Sequence, residues 1–142
     1  MRHAGIPVGV HVLLERDGRV LLMRRAGTGF FDGLYSLPGG HVEEGESLRT
    51  TAVREMREEL GIELDEASLV VVGVVHRRSD TNRIDFFVSA GEWSGEPSIA
   101  EPHRCDDLCW CARDALPEAV VPYTRDALEA GPGPWIHESG WA

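Results

Sequence analysis

Apolar positions recur along the chain with two different periods. In VGVHVLLERDGRVLLMRR (residues 8–25) they crowd into two runs on either side of Asp17-Gly18. That pattern predicts two strands joined by a tight hairpin, because Asp and Gly tolerate the positive φ angles such a turn needs. Leu48, Ala52, Met56 and Leu60 instead repeat every four residues, with Val53 beside them, and form the buried stripe of a helix. Ser47 supplies its N-cap and Gly61 its stop. Residues 68–78 and 83–93 read as further strands around a polar turn at 80–82, and LCWCA (108–112) as another. Residues 122–130 predict a short second helix. GPGPWIHESGWA (131–142) has the Gly and Pro density of a loosely ordered tail.

A β-rich, helix, β-rich, helix order predicts an α/β fold, a mixed sheet flanked by helices. We expect a single domain over residues 1–130 with the tail beyond it. A length of 142 residues suits one domain, which buries roughly 70% of its unfolded surface. The 42% hydrophobic and 27% charged content is ordinary for a globular protein. A net charge of -10 argues against a nucleic-acid polymer as partner, since phosphates are held by Lys and Arg. An acidic protein still handles a polyphosphate when metal ions screen the two anions. No apolar run approaches the roughly 18 residues of a membrane span. MRHAGIPVGV lacks the apolar core of a signal peptide. The expected setting is therefore cytoplasmic, with no membrane partner. Cys105, Cys109 and Cys111 are odd in number and lack paired C-x-x-C spacing, so they read as small apolar residues rather than a disulfide frame or zinc site.

The chemistry concentrates in LPGGHVEEGESLRTTAVREMREELGI (residues 37–62). On a helix, Glu55 lies three and four positions from Glu58 and Glu59, so these carboxylates converge on one edge. Such a face could be a solvated one, with Arg54 and Arg57 offsetting the charge. It is also what a hard divalent cation requires: oxygen ligands, with the cation restoring the stability that the empty cluster lacks. The glycines at 39 and 40 would let a backbone carbonyl join.

Gly40, Glu46, Arg54-Glu55-Met56, Glu58-Glu59 and Gly61-Ile62 resemble the Nudix box, G-x5-E-x7-R-E-U-x-E-E-x-G-U with U a bulky aliphatic, at every defined position. A chance match is on the order of 10⁻¹⁰ per starting position from average residue frequencies. The preceding LPGG and the β-rich flanks also resemble this family, whose fold is an α/β/α sandwich around a mixed sheet. The resemblance implies hydrolysis of a diphosphate linked to another moiety, with Mg²⁺, or Mn²⁺ in its place.

It further implies Glu55, Glu58 and Glu59 as metal carboxylates, with the Gly39 carbonyl as a backbone ligand. Arg54 would orient a box glutamate, and Glu46 would bind metal weakly or support its loop. The general base would be Glu101, in a loop resembling the family's later catalytic loop, or else Glu58. Arg25 and Arg83 are the preferred phosphate-binding cations among Arg24, Arg25, Arg77, Arg78 and Arg83. Phe31 and Tyr35 are the preferred residues to stack a base, from a set that includes Phe30 and Trp93.

The expected partner is a nucleoside polyphosphate or a diphosphate-linked small molecule, and homodimers are frequent in the family. The leading reading is a nucleoside triphosphate, unmodified or modified, cleaved to monophosphate and pyrophosphate. ADP-ribose or a nucleotide sugar is the alternative substrate. A non-cleaving nucleotide-binding module is the alternative of another class, against which the complete set of box carboxylates weighs. Residues 116–128 lack an Asn with which some relatives read an oxidised base, which argues against a specific antimutator role.

Overall fold

The hairpin at residues 8–25 forms as β1 (Val8–Arg16) and β2 (Arg19–Arg25) in a computed structural model that describes residues 5–141. Met1 to Ala4, part of the stretch read as lacking a signal peptide, and Ala142 of the expected tail lie outside the described residues. Asp17 and Gly18 take φ of 54° and 74°, the two left-handed residues of a tight hairpin turn. The remaining strands are β3 (Tyr35–Ser36), β4 (Gly39–His41), β5 (Glu63–Leu64), β6 (Leu69–Arg78), β7 (Asn82–Ala90), β8 (Trp93–Ser94), β9 (Cys105–Ala112) and β10 (Trp135–Ser139). The helices are α1 (Leu48–Leu60) and α2 (Pro122–Glu129).

The main sheet runs β10-β6-β7-β1-β2-β3, with β4 also on β1 and β9 on β2. It is mixed: β1 lies parallel to β7 and antiparallel to β2 and β4. β1 trades partners along its length. Gly9 to His11 pair with β4, whereas Glu15 and Arg16 pair with β2. The sheet thus forks, and the fork leaves a gap between β4 and β2.

Strand alternation feeds two cores. Val10, Val12 and Leu14 pack with Ala52, Met56 and Leu60 of α1, whose stripe is buried as its spacing predicts. Leu13, Val75 and Phe87 face the other way, onto Ala127 and Leu128 of α2. Each fully buried Leu or Met contributes about 2 kcal/mol from removal of apolar surface. The result is the expected α/β/α sandwich. Cys109 and Cys111 join the second core as small apolar side chains, and among the described residues no three His, Cys, Asp or Glu side chains gather at metal-binding distances.

Two elements differ from the sequence reading. The strand expected to reach residue 93 stops at Ala90, and Trp93 and Ser94 pair with β5 in a separate ribbon. The segment expected to trail off as a tail instead lays Trp135 to Ser139 parallel to Gly73 to Arg77 of β6. Gly and Pro there shape the approach to the sheet rather than preventing pairing. At Gly73 a Cβ would meet the Trp135 ring at 2.3 Å, so the indole needs a bare backbone beneath it. No helix is long and apolar enough to cross a membrane among the described residues.

Candidate active site

The fork opens into a cleft of about 660 Å³, large enough for a nucleotide. One wall is the polar edge of α1. Ser47 caps the helix by accepting from the Thr50 N–H at 3.1 Å, and Gly61 closes it with φ of 68°. This frame turns Glu55, Glu58 and Glu59 into the cleft. Gly40 makes room for the first of them, since a Cβ there would lie 2.3 Å from a Glu55 carboxylate oxygen.

Arg54 ties the wall together. Its Nε donates to Glu46 Oε2 at 2.6 Å and its Nη2 to Glu46 Oε1 at 2.9 Å, a bidentate pair. Its Nη1 donates to Glu55 at 2.9 Å and reaches Glu58 at 3.3 Å. Glu46 does not line the cleft. It also accepts from the buried Thr51 hydroxyl and the Glu43 N–H, and the Arg54 hydrogen bond above all holds its carboxyl down at about 2.

Glu59 behaves in the opposite way. Burial, then a hydrogen bond and charge repulsion from Glu55, raise its pKa well above the ordinary value, although the Gly39 N–H donates to it. Two carboxylates in one low-dielectric corner require a proton or a cation between them. Glu101 arrives beside them because its loop is anchored on the end of α1, where Ala100 N–H donates to the Glu59 carbonyl and Ser98 N–H to that of Leu60. The donors here are all oxygens, the kind a hard divalent cation takes, although among the described residues no three of these side chains already stand at metal-binding distances.

The cleft also carries cations. Arg25, Arg83, Arg77, Arg24 and Arg104 all line the cleft. Arg25 donates to the Phe30 carbonyl at 2.6 Å and to Thr28 at 3.2 Å, which pins the loop after β2. Arg83 lies 2.5 Å from His41 Nε2, and its buried Nε has no partner among the described residues. The His41 pKa is lowered by burial and then by the Arg83 charge.

The two preferred aromatics are not brought to the cleft. Strand β3 turns Ser36 toward it and Tyr35 away, against the second core, where the Tyr35 hydroxyl donates to Asp107 and its pKa rises to about 12. Phe31, at φ of 53°, packs on Phe30 and Tyr123, and of the two phenylalanines it is Phe30 that lines the cleft. Sequence reading also passed over His11, His41, Asp85, Arg104 and Tyr123, which line it. Asp85 carried a signal, as an acid inside an apolar strand.

A family model for the NUDIX domain matches residues 5–131. A CTP pyrophosphohydrolase of Escherichia coli is 35% identical over 122 residues, covering 85% of this chain and 87% of its own. An ADP-ribose pyrophosphatase of Methanocaldococcus jannaschii is 42% identical over 55 residues, 39% of this chain and 32% of that protein. The crystal structure of a MutT Nudix hydrolase from Burkholderia pseudomallei superposes with a TM-score of 0.81 at 35% identity, covering 89% of this chain and 98% of that one. With the complete box, the sandwich and the acidic cleft, these matches establish that the chain belongs to the Nudix hydrolases, which act on phosphoanhydride bonds of nucleoside diphosphate-linked substrates and generally use divalent metal ions.

Proposed function

We propose that this hydrolase cleaves a nucleoside triphosphate to the monophosphate and pyrophosphate, with Mg²⁺ as the cation and Mn²⁺ as its substitute. The observation that carries this reading is one cleft lined both by the α1 carboxylates and by arginines from outside that helix. A bound polyphosphate would present oxygens to both at once. Similarity to the CTP pyrophosphohydrolase over most of both chains supports a triphosphate.

In this reading Glu55, Glu58, Glu59 and the Gly39 carbonyl hold the metal, and Glu46 holds Arg54. Once bound, Mg²⁺ supplies neutralisation of phosphate oxygens and acidifies water for attack on phosphorus. Arg54 keeps Glu55 and Glu58 in place through directional hydrogen bonds. Arg25 and Arg83 bind the phosphate chain and orient it for in-line displacement. Glu101 takes the proton of the attacking water, with Glu58 as the other candidate, and no covalent nucleophile is needed.

The test is a panel of nucleoside triphosphates, oxidised analogues and diphosphate conjugates, incubated with Mg²⁺ while phosphate and pyrophosphate are counted separately. Pyrophosphate from a triphosphate is expected. Cleavage of conjugates alone, to two monophosphates, would move the assignment to ADP-ribose or a nucleotide sugar, the reading favoured by the shorter match to the Methanocaldococcus jannaschii protein.

A further inference from the structure

One wall of the cleft is buried and polar without contributing to the acidic edge. Asp85, 1% exposed on the central strand β7, accepts from His11 Nε2 at 3.0 Å and from Arg77 Nε at 2.6 Å. The fold makes space for this carboxylate: a Cβ at Gly9 would stand 2.4 Å from its Oδ1. The Arg77 guanidinium lies 4.3 Å from the centre of the Tyr123 ring, and His11 stacks on Phe87 at 4.7 Å. Stability alone gives no reason for this arrangement, since well-packed apolar side chains usually serve as well as a buried ion pair.

The chemistry of the pair is directional. Burial raises the Asp85 pKa, but the hydrogen bonds from His11 and Arg77 outweigh it and hold the group at about 2. The Asp85 carboxylate accepts from His11 Nε2, which leaves Nδ1 as the remaining polar atom of the ring. Arg77 spends its Nε on Asp85, and its terminal N–H groups take no other acceptor among the described residues. The two side chains bond the two oxygens of one carboxylate, and both residues line the cleft.

We infer that His11 and Arg77 read the organic group beyond the phosphates: a planar heterocycle offering an acceptor to Arg77 and a polar edge atom to His11 Nδ1, as a nucleobase edge does, with Asp85 as the positioning residue. This inference rests on the nucleotide reading above. It concerns the base, whereas the acidic edge concerns the phosphates.

The experiment is calorimetric titration with Mg²⁺ and the four common nucleoside monophosphates, with ribose 5-phosphate as the ligand that lacks a base. At least one monophosphate is expected to bind about 10-fold or more tighter than ribose 5-phosphate, the scale of one good base contact. His11→Ala should bring that preference below about 3-fold, as should Arg77→Met. Should Arg77→Met fail to fold, Arg77→Met with Asp85→Leu removes both buried charges and carries the test. Asp85→Asn should abolish the preference and change the His11 ring ¹⁵N shifts, which report the tautomer. No preference in the natural protein, or a preference that survives these substitutions, would overturn the inference. A base preference without pyrophosphate release from any triphosphate would overturn the triphosphate reading and leave the inference standing.

Discussion

The acidic edge of α1 and the Asp85 cluster handle charge in opposite ways. Glu46, Arg54, Glu55, Glu58 and Glu59 lie within a short stretch of chain, their carboxylates outnumber the one guanidinium among them, and Glu58 is half exposed. Asp85, His11 and Arg77 come from three strands and are nearly sealed from water, and the Asp85 carboxylate accepts from both of the others. The first region is left short of positive charge. The second is already satisfied, and can discriminate only through the groups it has left over.

The largest break in this comparison should come from Glu58→Gln. Loss of a metal or base contact is expected to lower kcat by about 10²–10³-fold, with the melting temperature little changed because the side chain is exposed. Hydrolysis within two-fold of the natural protein would remove Glu58 from the chemistry. Asp85→Ala should act chiefly on the fold. Stranding the Arg77 charge is expected to cost about 3 kcal/mol in denaturant unfolding, and an unchanged midpoint would show the cluster to be energetically idle.

Acid and base should separate the two regions by sign. Asp85 is held near 2, below its ordinary 3.8, so its contribution of about 2 kcal/mol is present above pH 4 and is lost as pH falls toward 2. Glu59 has its pKa raised, so the stability it gives is full below its ordinary 4.5 and is lost as pH rises through the raised value. Thermal melts in EDTA across pH 2–8 should therefore fall at both ends. Mg²⁺ should recover the high-pH side and leave the acid side unchanged. Recovery at neither end would argue against a cation between Glu55 and Glu59.

The smallest effect is expected from Tyr35→Phe, which removes one hydrogen bond to Asp107 and should cost about 1 kcal/mol of stability. KM and kcat should stay within two-fold. A raised KM would return Tyr35 to the substrate.

How much of this was legible in the sequence follows from the same contrast. The α1 wall is local: cap, stripe, stop and carboxylates are fixed by helical spacing, so residues 47–61 could be read directly. The hairpin at Asp17-Gly18 is legible for the same reason. The Asp85 cluster depends on register between strands distant in sequence, with Gly9 opposite Asp85 and Val75 opposite it on the other side. Nothing in a linear pattern announces those pairings. That Tyr35 lies off the cleft could not be read, because β3 has two residues, too few for alternation to show which faces the core. β10 was hidden by composition, since Gly and Pro mark a turn but do not reveal what the chain does beyond it.

The strand that trades partners has a mechanical consequence. Gly9 to His11 are bonded to β4 on one side and β7 on the other, and the Val12 N–H donates to the Pro38 carbonyl. Widening the mouth would mean breaking ladder bonds in the middle of the sheet, so the aperture is set at folding. Amide hydrogens of residues 10–12 should exchange only with global unfolding, and a ligand should meet a gap of preset width, its entry governed by diffusion and orientation rather than by a gate.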